Sequence, residues 1–437
     1  MTSEENIMIT IPFFELEFNK KADQVNQAEW QLIKQALKHQ AYTDVIVLSH
    51  GWNNDMDDAR RLYNALLKLI QAELDKKQLS NRKFMAMGVL WPSKKFADKE
   101  LIPGGAASTD TNPAKSEVID DCRKLEEFMD LKSRVILEDI RKSLESNAEA
   151  DEVSMKFKNL FESMGRDESK NEDTLPIVNL DRINMMFIDE GFWMDNDEGI
   201  GGDGVQNVDS ESGNGEGVIP LSLWTGILGG VQNILNVTTY YLMKDRSGLI
   251  GRSGLNPVLR KIKQVAPGIR IHLVGHSFGA RLVSSAIMGE KIEDEIAVDS
   301  LSLLQAAFSH YAFAGKYDGS KDGLFRSVVT KKLVQGPFFI THTRFDKAVG
   351  IAYAVASRVA GQAGQGLGGK NDLYGGLGGN GAQKTDEAVS ATLLATGGVY
   401  DFKPEKVFNL KSDEYISGHS DIIKPQVAGA LVSAFLT

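Results

Sequence analysis

Ser277 sits at the centre of Gly275-His276-Ser277-Phe278-Gly279, with a glycine two residues before it and another two after. An apolar run (Ile271, Leu273, Val274) leads into this stretch and an apolar-periodic segment follows it. The succession predicts strand, sharp turn and helix, with a hydroxyl at the apex. The glycines leave room for a backbone turned too tightly for side chains. The helix that follows points its first amides at the same spot. Gly-x-Ser-x-Gly is a cheap pattern by itself. The flanking strand and helix favour a nucleophile elbow over a turn in which Ser277 only caps its helix.

A serine hydroxyl attacks an acyl carbon only with a base in hydrogen-bond reach, and that base needs a third group to orient it. In elbow-bearing sheets the partners follow the serine in the order acid, then histidine, each beyond the end of a later strand. Seven histidines are available. His39 precedes the sheet, His50 belongs to the first loop, His272 lies inside the elbow strand, and His276 is expected to point away from the apex. Of His310, His342 and His419, the last fits best, because it follows the final strand in Ser417-Gly418-His419-Ser420-Asp421 and precedes the final helix. Asp346 is the expected acid, placed after a strand ending near Thr341; the competing reading is a helix cap. Asp318 and Asp322 are its alternatives, and His342 is the fallback base. The oxyanion formed on attack needs two donors. The N–H of Phe278 supplies one, and the N–H of Trp52, beyond the small residue Gly51, the other.

These groups need a sheet to hold them. Residues 6–18 are rich in strand formers, and Pro12 consigns them to an edge. A helix is expected at 26–39, a buried strand at 43–49, a helix at 57–75 and a second buried strand at 84–90. The alternation then stops. Residues 117–146 read as one long charged helix, 151–164 as another, and 177–188 as a strand or an appended hairpin. Acidic, glycine-rich 189–217 includes Asp195-Asn196-Asp197, but Ile200 stands where a calcium loop needs glycine, so a mobile surface loop is expected. The apolar stretch 219–243 reads equally as a helix beside the site or as a buried core helix. A tight loop at 246–254 precedes a helix at 256–265. After the elbow, strands are expected at 299–308, 337–341 and 407–410, a helix from Lys347, a flexible excursion at 361–383 and a last helix at 425–435. Strands alternating with helices in this way mean a mostly parallel, doubly wound α/β sheet. Residues 1–98 and 217–437 would form the core, and 99–216 an inserted cap or lid.

Composition narrows the function further. A net charge of −10 with no basic run argues against nucleic acid. The single cysteine, Cys122, excludes a disulfide framework or a zinc cluster. No run approaches a membrane span, and the first ten residues lack the features of a secretory leader, so the expected compartment is the cytoplasm, with signal-less export compatible.

The sequence resembles the α/β-hydrolase superfamily, above all bacterial serine esterases and lipase-like proteins that pair an HG-type oxyanion loop (here HGWNN) with a GHSxG elbow (here GHSFGAR). The similarity covers 41–93 and 254–437. It implies hydrolysis of an ester, or less often an amide or thioester, by a Ser277-His419-Asp346 triad without metal or cofactor. The partner would be a small-molecule or lipid ester, with peripheral membrane contact compatible. The competing readings are an inactive hydrolase-fold binding module, a peptidase or amidase, and a lipase-type effector. One departure is the long glycine-rich excursion between Asp346 and His419.

Overall fold

A computed structural model describes residues 9–39, 41–52, 54–77, 79–93, 115–127, 129–164, 221–346 and 375–437. Among the described residues, eight strands form one sheet: β1 Phe13–Glu17, β2 Asp44–Ser49, β3 Phe84–Leu90, β4 Arg270–His276, β5 Ser300–Leu304, β6 Phe338–His342, β7 Ala388–Thr392 and β8 Val407–Lys411. Their order is β1-β3-β2-β4-β5-β6-β8-β7, and every pairing is parallel. The class is therefore α/β, as expected, and the described strands are wholly rather than mostly parallel.

Parallel strands joined by crossovers are covered on both faces, which is why Val45 to Leu48 of β2 and all of β3 are continuous apolar runs and every residue of both strands is buried. The alternation of β2 shows the two layers. Val45 and Val47 face the core formed with α1 Gln27–His39, α6 Leu221–Leu249, α7 Asn256–Val265 and α8 Phe278–Met288. Ile46 and Leu48 face the core formed with α2 Met56–Asp75 and α9 Pro425–Leu436.

The chain leaves β2 for β3 on one side, while β4 lies on the other. Such a reversal opens a crevice at the carboxyl ends of the strands. Ser49 pairs with Gly275, so the loop after β2 and the turn after β4 emerge level with each other. The opposite ends of the strands are pinned by Asp44, which accepts from Arg82 at 2.7 and 2.5 Å and from the Thr43 hydroxyl at 2.6 Å, with His272 Nε2 at 3.0 Å. Burial pushes its carboxyl up, but these donors outweigh it and hold the group down at about 2.

Several expectations are corrected. The charged segment 117–146 is two helices, α3 Lys115–Glu126 and α4 Leu131–Glu145, because Asp130 accepts from Ser133 N–H at 2.7 Å and starts a new one. With α5 Ala150–Met164 they share the α6 side of the core, where Cys122 is buried. No tight loop occupies 246–254: α6 continues through a π-helical turn, Ile250–Leu255, into α7. Its glycines serve packing instead, since a Cβ on Gly251 would lie 2.2 Å from Leu282 O in α8. The strand expected at 299–308 ends at Leu304, and Leu377–Asn380, inside the expected excursion, is a buried-side helical turn. β7 was not foreseen, because its five residues are half-exposed and form no apolar run. The expectations for 177–188, for Asp195-Asn196-Asp197 and for a helix from Lys347 lie outside the described residues. Among the described residues, no helix is long and apolar enough to cross a membrane.

Candidate active site

Ser277 follows β4 directly and opens α8 with φ 56° and ψ −124°. A non-glycine residue in that region costs of order 1–3 kcal/mol and survives only where its surroundings enforce it. Here three close backbone approaches enforce it. A Cβ on Gly275 would lie 2.4 Å from Ala280 Cα, and one on Gly279 2.2 Å from Ser49 O. One on Gly51 would lie 2.5 Å from Ser277 Cβ. The Ser277 N–H donates to Leu304 O at 3.1 Å, fastening the turn to the end of β5.

Ser277, His419 and Asp346 come together although 142 and 73 residues separate the pairs. His419 Nε2 is 2.8 Å from Ser277 Oγ, and its Nδ1 is 3.0 Å from both oxygens of Asp346. A carboxylate only accepts, so Nδ1 carries the hydrogen and Nε2 offers its lone pair to the serine hydroxyl. Asp346 is fully buried, whereas the His419 side chain keeps 19% of its surface exposed. Solvent therefore reaches the base and not the acid.

Histidines on either side hold these groups. His276 Nε2 lies 3.0 Å from the backbone carbonyl of His419, which makes Nε2 the N–H donor. Burial, with the nearby His419 ring adding to it, pushes His276 down to about 3. It was expected to point away from the apex; it instead ties the elbow to the loop that carries His419. His50, also buried and pushed down to about 4, donates from Nδ1 to Gly51 O at 2.9 Å and accepts Trp91 N–H at Nε2 at 3.3 Å. Trp91 returns its indole N–H to His50 O at 3.1 Å, and the Tyr63 hydroxyl accepts His50 N–H at 2.8 Å. That network fixes Gly51 and Trp52 beside the elbow. The Asp55–Asp58 capping box of α2 closes the loop on its far side. The Trp52 ring packs 6.0 Å from both Phe278 and Tyr240, the latter on α6, and its Nε1 is buried without a partner among the described residues. The described part of α6 is thus a core helix whose Tyr240 end borders the site.

The alternative acids do not join this group. Asp318 is spent on its own turn, accepting from Ser320 N–H and Lys321 N–H, and these donors hold it down at about 2. Asp322 accepts from Lys316 N–H. His342 ends β6, where its carbonyl accepts from Ser412 N–H. Gln305, which the sequence reading did not consider, donates from Nε2 to Asp346 Oδ2 at 3.0 Å. The signal was present: it is the first polar residue beyond the apolar end of β5.

A cleft of about 680 Å³, bordered by Tyr42, Arg82 and Phe84, lies at the amino ends of β2 and β3, away from the triad. Among the described residues, no cluster of His, Cys, Asp and Glu could hold a metal ion. Compared with family models, curated proteins and solved structures, the chain finds no match.

Proposed function

We propose that the chain is a serine hydrolase of the α/β-hydrolase kind that cleaves a carboxylic ester, with a lipid or other acyl ester as the substrate class. The observation carrying this reading is the relay Ser277 Oγ–His419–Asp346 at 2.8 and 3.0 Å, standing at the crevice between the carboxyl ends of β2 and β4. In the proposed reaction, Ser277 Oγ attacks the ester carbonyl carbon while His419 Nε2 takes its proton. Asp346 holds the Nδ1–H and stabilises the imidazolium. The carbonyl oxygen becomes an oxyanion, received by the N–H groups of Phe278 and Trp52. Collapse of this intermediate breaks the C–O bond, and His419 returns the proton to the departing alcohol. Water then repeats the sequence on the acyl-enzyme and releases the acid.

A panel of p-nitrophenyl esters of increasing acyl length tests the reading. Turnover is expected in the wild type and its loss in Ser277→Ala, with the best chain length reporting the size of the acyl site. Equal turnover by a folded Ser277→Ala protein would falsify it.

A further inference from the structure

Gln305 combines features that packing alone does not explain. It is wholly buried at the carboxyl end of β5 and takes φ 44°, a region few glutamines enter. Its N–H donates to the Thr341 hydroxyl on β6 at 3.1 Å, which fixes the turn. Its Nε2 lies 3.0 Å from Asp346 Oδ2 and 3.2 Å from Gly378 O. Both of those atoms only accept, so a flipped carboxamide would set oxygen against oxygen, and the orientation is determined. Its Oε1, by contrast, is buried without a donor among the described residues. The fold thus keeps a strained backbone and an orphaned acceptor at one position. What that position delivers is an N–H to the carboxylate. Gly378 closes the other side: a Cβ there would lie 2.6 Å from Asp346 Oδ2.

We propose that Gln305 is a positioning residue which, through its Nε2–H on Asp346 Oδ2, sets the rotation of the carboxylate and so the alignment of His419 on Ser277, a role that rests on the hydrolase reading above. With Nδ1 equidistant from both oxygens, His419 itself does not select a carboxylate rotation. The bond from Gln305 engages one oxygen only and breaks that equivalence.

Two variants and two readouts test this. Gln305→Met keeps length and apolar volume but removes the donor. Gln305→Asn keeps a residue type that tolerates left-handed φ, yet its amide stops a methylene short. The first readout is labelling by a fluorophosphonate over a range of concentrations, which separates the limiting rate from the half-saturating concentration. The second is the low-field proton resonance of the His419 Nδ1–H, assigned by its loss in Asp346→Asn. The expected result, in whichever variant melts like the wild type, is a limiting rate lower by about tenfold or more at unchanged half-saturation, since misalignment acts on the reacting geometry. The Nδ1–H resonance should shift as well. A structural role alone would lower melting without that split. Wild-type labelling rates with an unmoved resonance in a folded variant overturn the proposal. If the wild type is not labelled at all, the hydrolase reading falls, and a shifted or unmoved resonance still decides whether Gln305 sets the pair.

Discussion

Replacing Asp346 with Asn separates a catalytic acid from a residue that only caps or packs. The fully buried carboxylate accepts from His419 Nδ1 and from Gln305 Nε2, all at 3.0 Å. Asn retains one acceptor and turns the other position into an N–H donor. A donor facing His419 favours the tautomer with hydrogen on Nε2, where it meets the serine hydroxyl and blocks proton transfer. Charge adds to this. Imidazolium and carboxylate centres about 4 Å apart attract by about 4 kcal/mol at an effective dielectric of 20. Losing that attraction in the transition state corresponds to roughly three powers of ten in rate, close to the ~10⁴ found for the same change in the serine-protease triad. The assay is kcat/KM on an activated ester at neutral pH beside a melting curve. Asp346→Asn should melt near the wild type and lose at least about two orders of magnitude in rate. A folded Asp346→Asn protein of undiminished activity refutes the reasoning, because a helix cap tolerates Asn equally well.

Gly51→Ala should both destabilise, by about 1–3 kcal/mol for overpacking, and slow turnover by about 100-fold through displacement of the serine. The new Cβ would lie 2.5 Å from Ser277 Cβ and 3.2 Å from His276 O; denaturation and kinetics on the same preparation check both effects. Stability should also fall on acidification. His50 and His276, held down at about 4 and about 3, stay neutral in the fold while their unfolded counterparts take up protons below about 6.5. Their contribution is complete above that pH and is lost as pH falls toward the folded values. At about pH 5 this amounts to about 2 kcal/mol for each histidine relative to neutrality. Denaturant midpoints at the two pH values measure it, and His276→Gln should flatten the dependence. A midpoint that does not move with pH contradicts the assignment of buried neutral histidines.

The central strands were legible because both faces of a parallel strand are buried, so Val45 to Leu48 of β2 and the whole of β3 stand out as uninterrupted apolar runs. The turn at Ser277 was legible because its glycines answer a local demand, close backbone approach. The glycines at 246–254 misled for the converse reason. Gly251 and Gly254 allow contact with distant segments, Leu282 and Phe18, and a sequence does not distinguish a glycine needed for a turn from one needed for packing. Edge strand β7 lacks the burial that writes a pattern. At the candidate site, chain order and strand ends sufficed to nominate Ser277, His419 and Asp346 as a set. Gln305 and His276 were missed because their partners, Asp346 Oδ2 and the His419 carbonyl, become neighbours only through strand order. Asp130 shows the same limit locally: inside a charged run it reads as one more helical residue, yet its side chain starts a new helix.

The central claim is that Ser277 is a nucleophile activated by His419. Its most direct measurement is peptide mapping by mass spectrometry after exposure of the native protein to a fluorophosphonate. The account predicts one adduct, on Ser277, absent from Ser277→Ala and formed far more slowly in His419→Ala. A folded wild-type protein that stays unmodified at Ser277, or that carries its adduct on another residue, contradicts it.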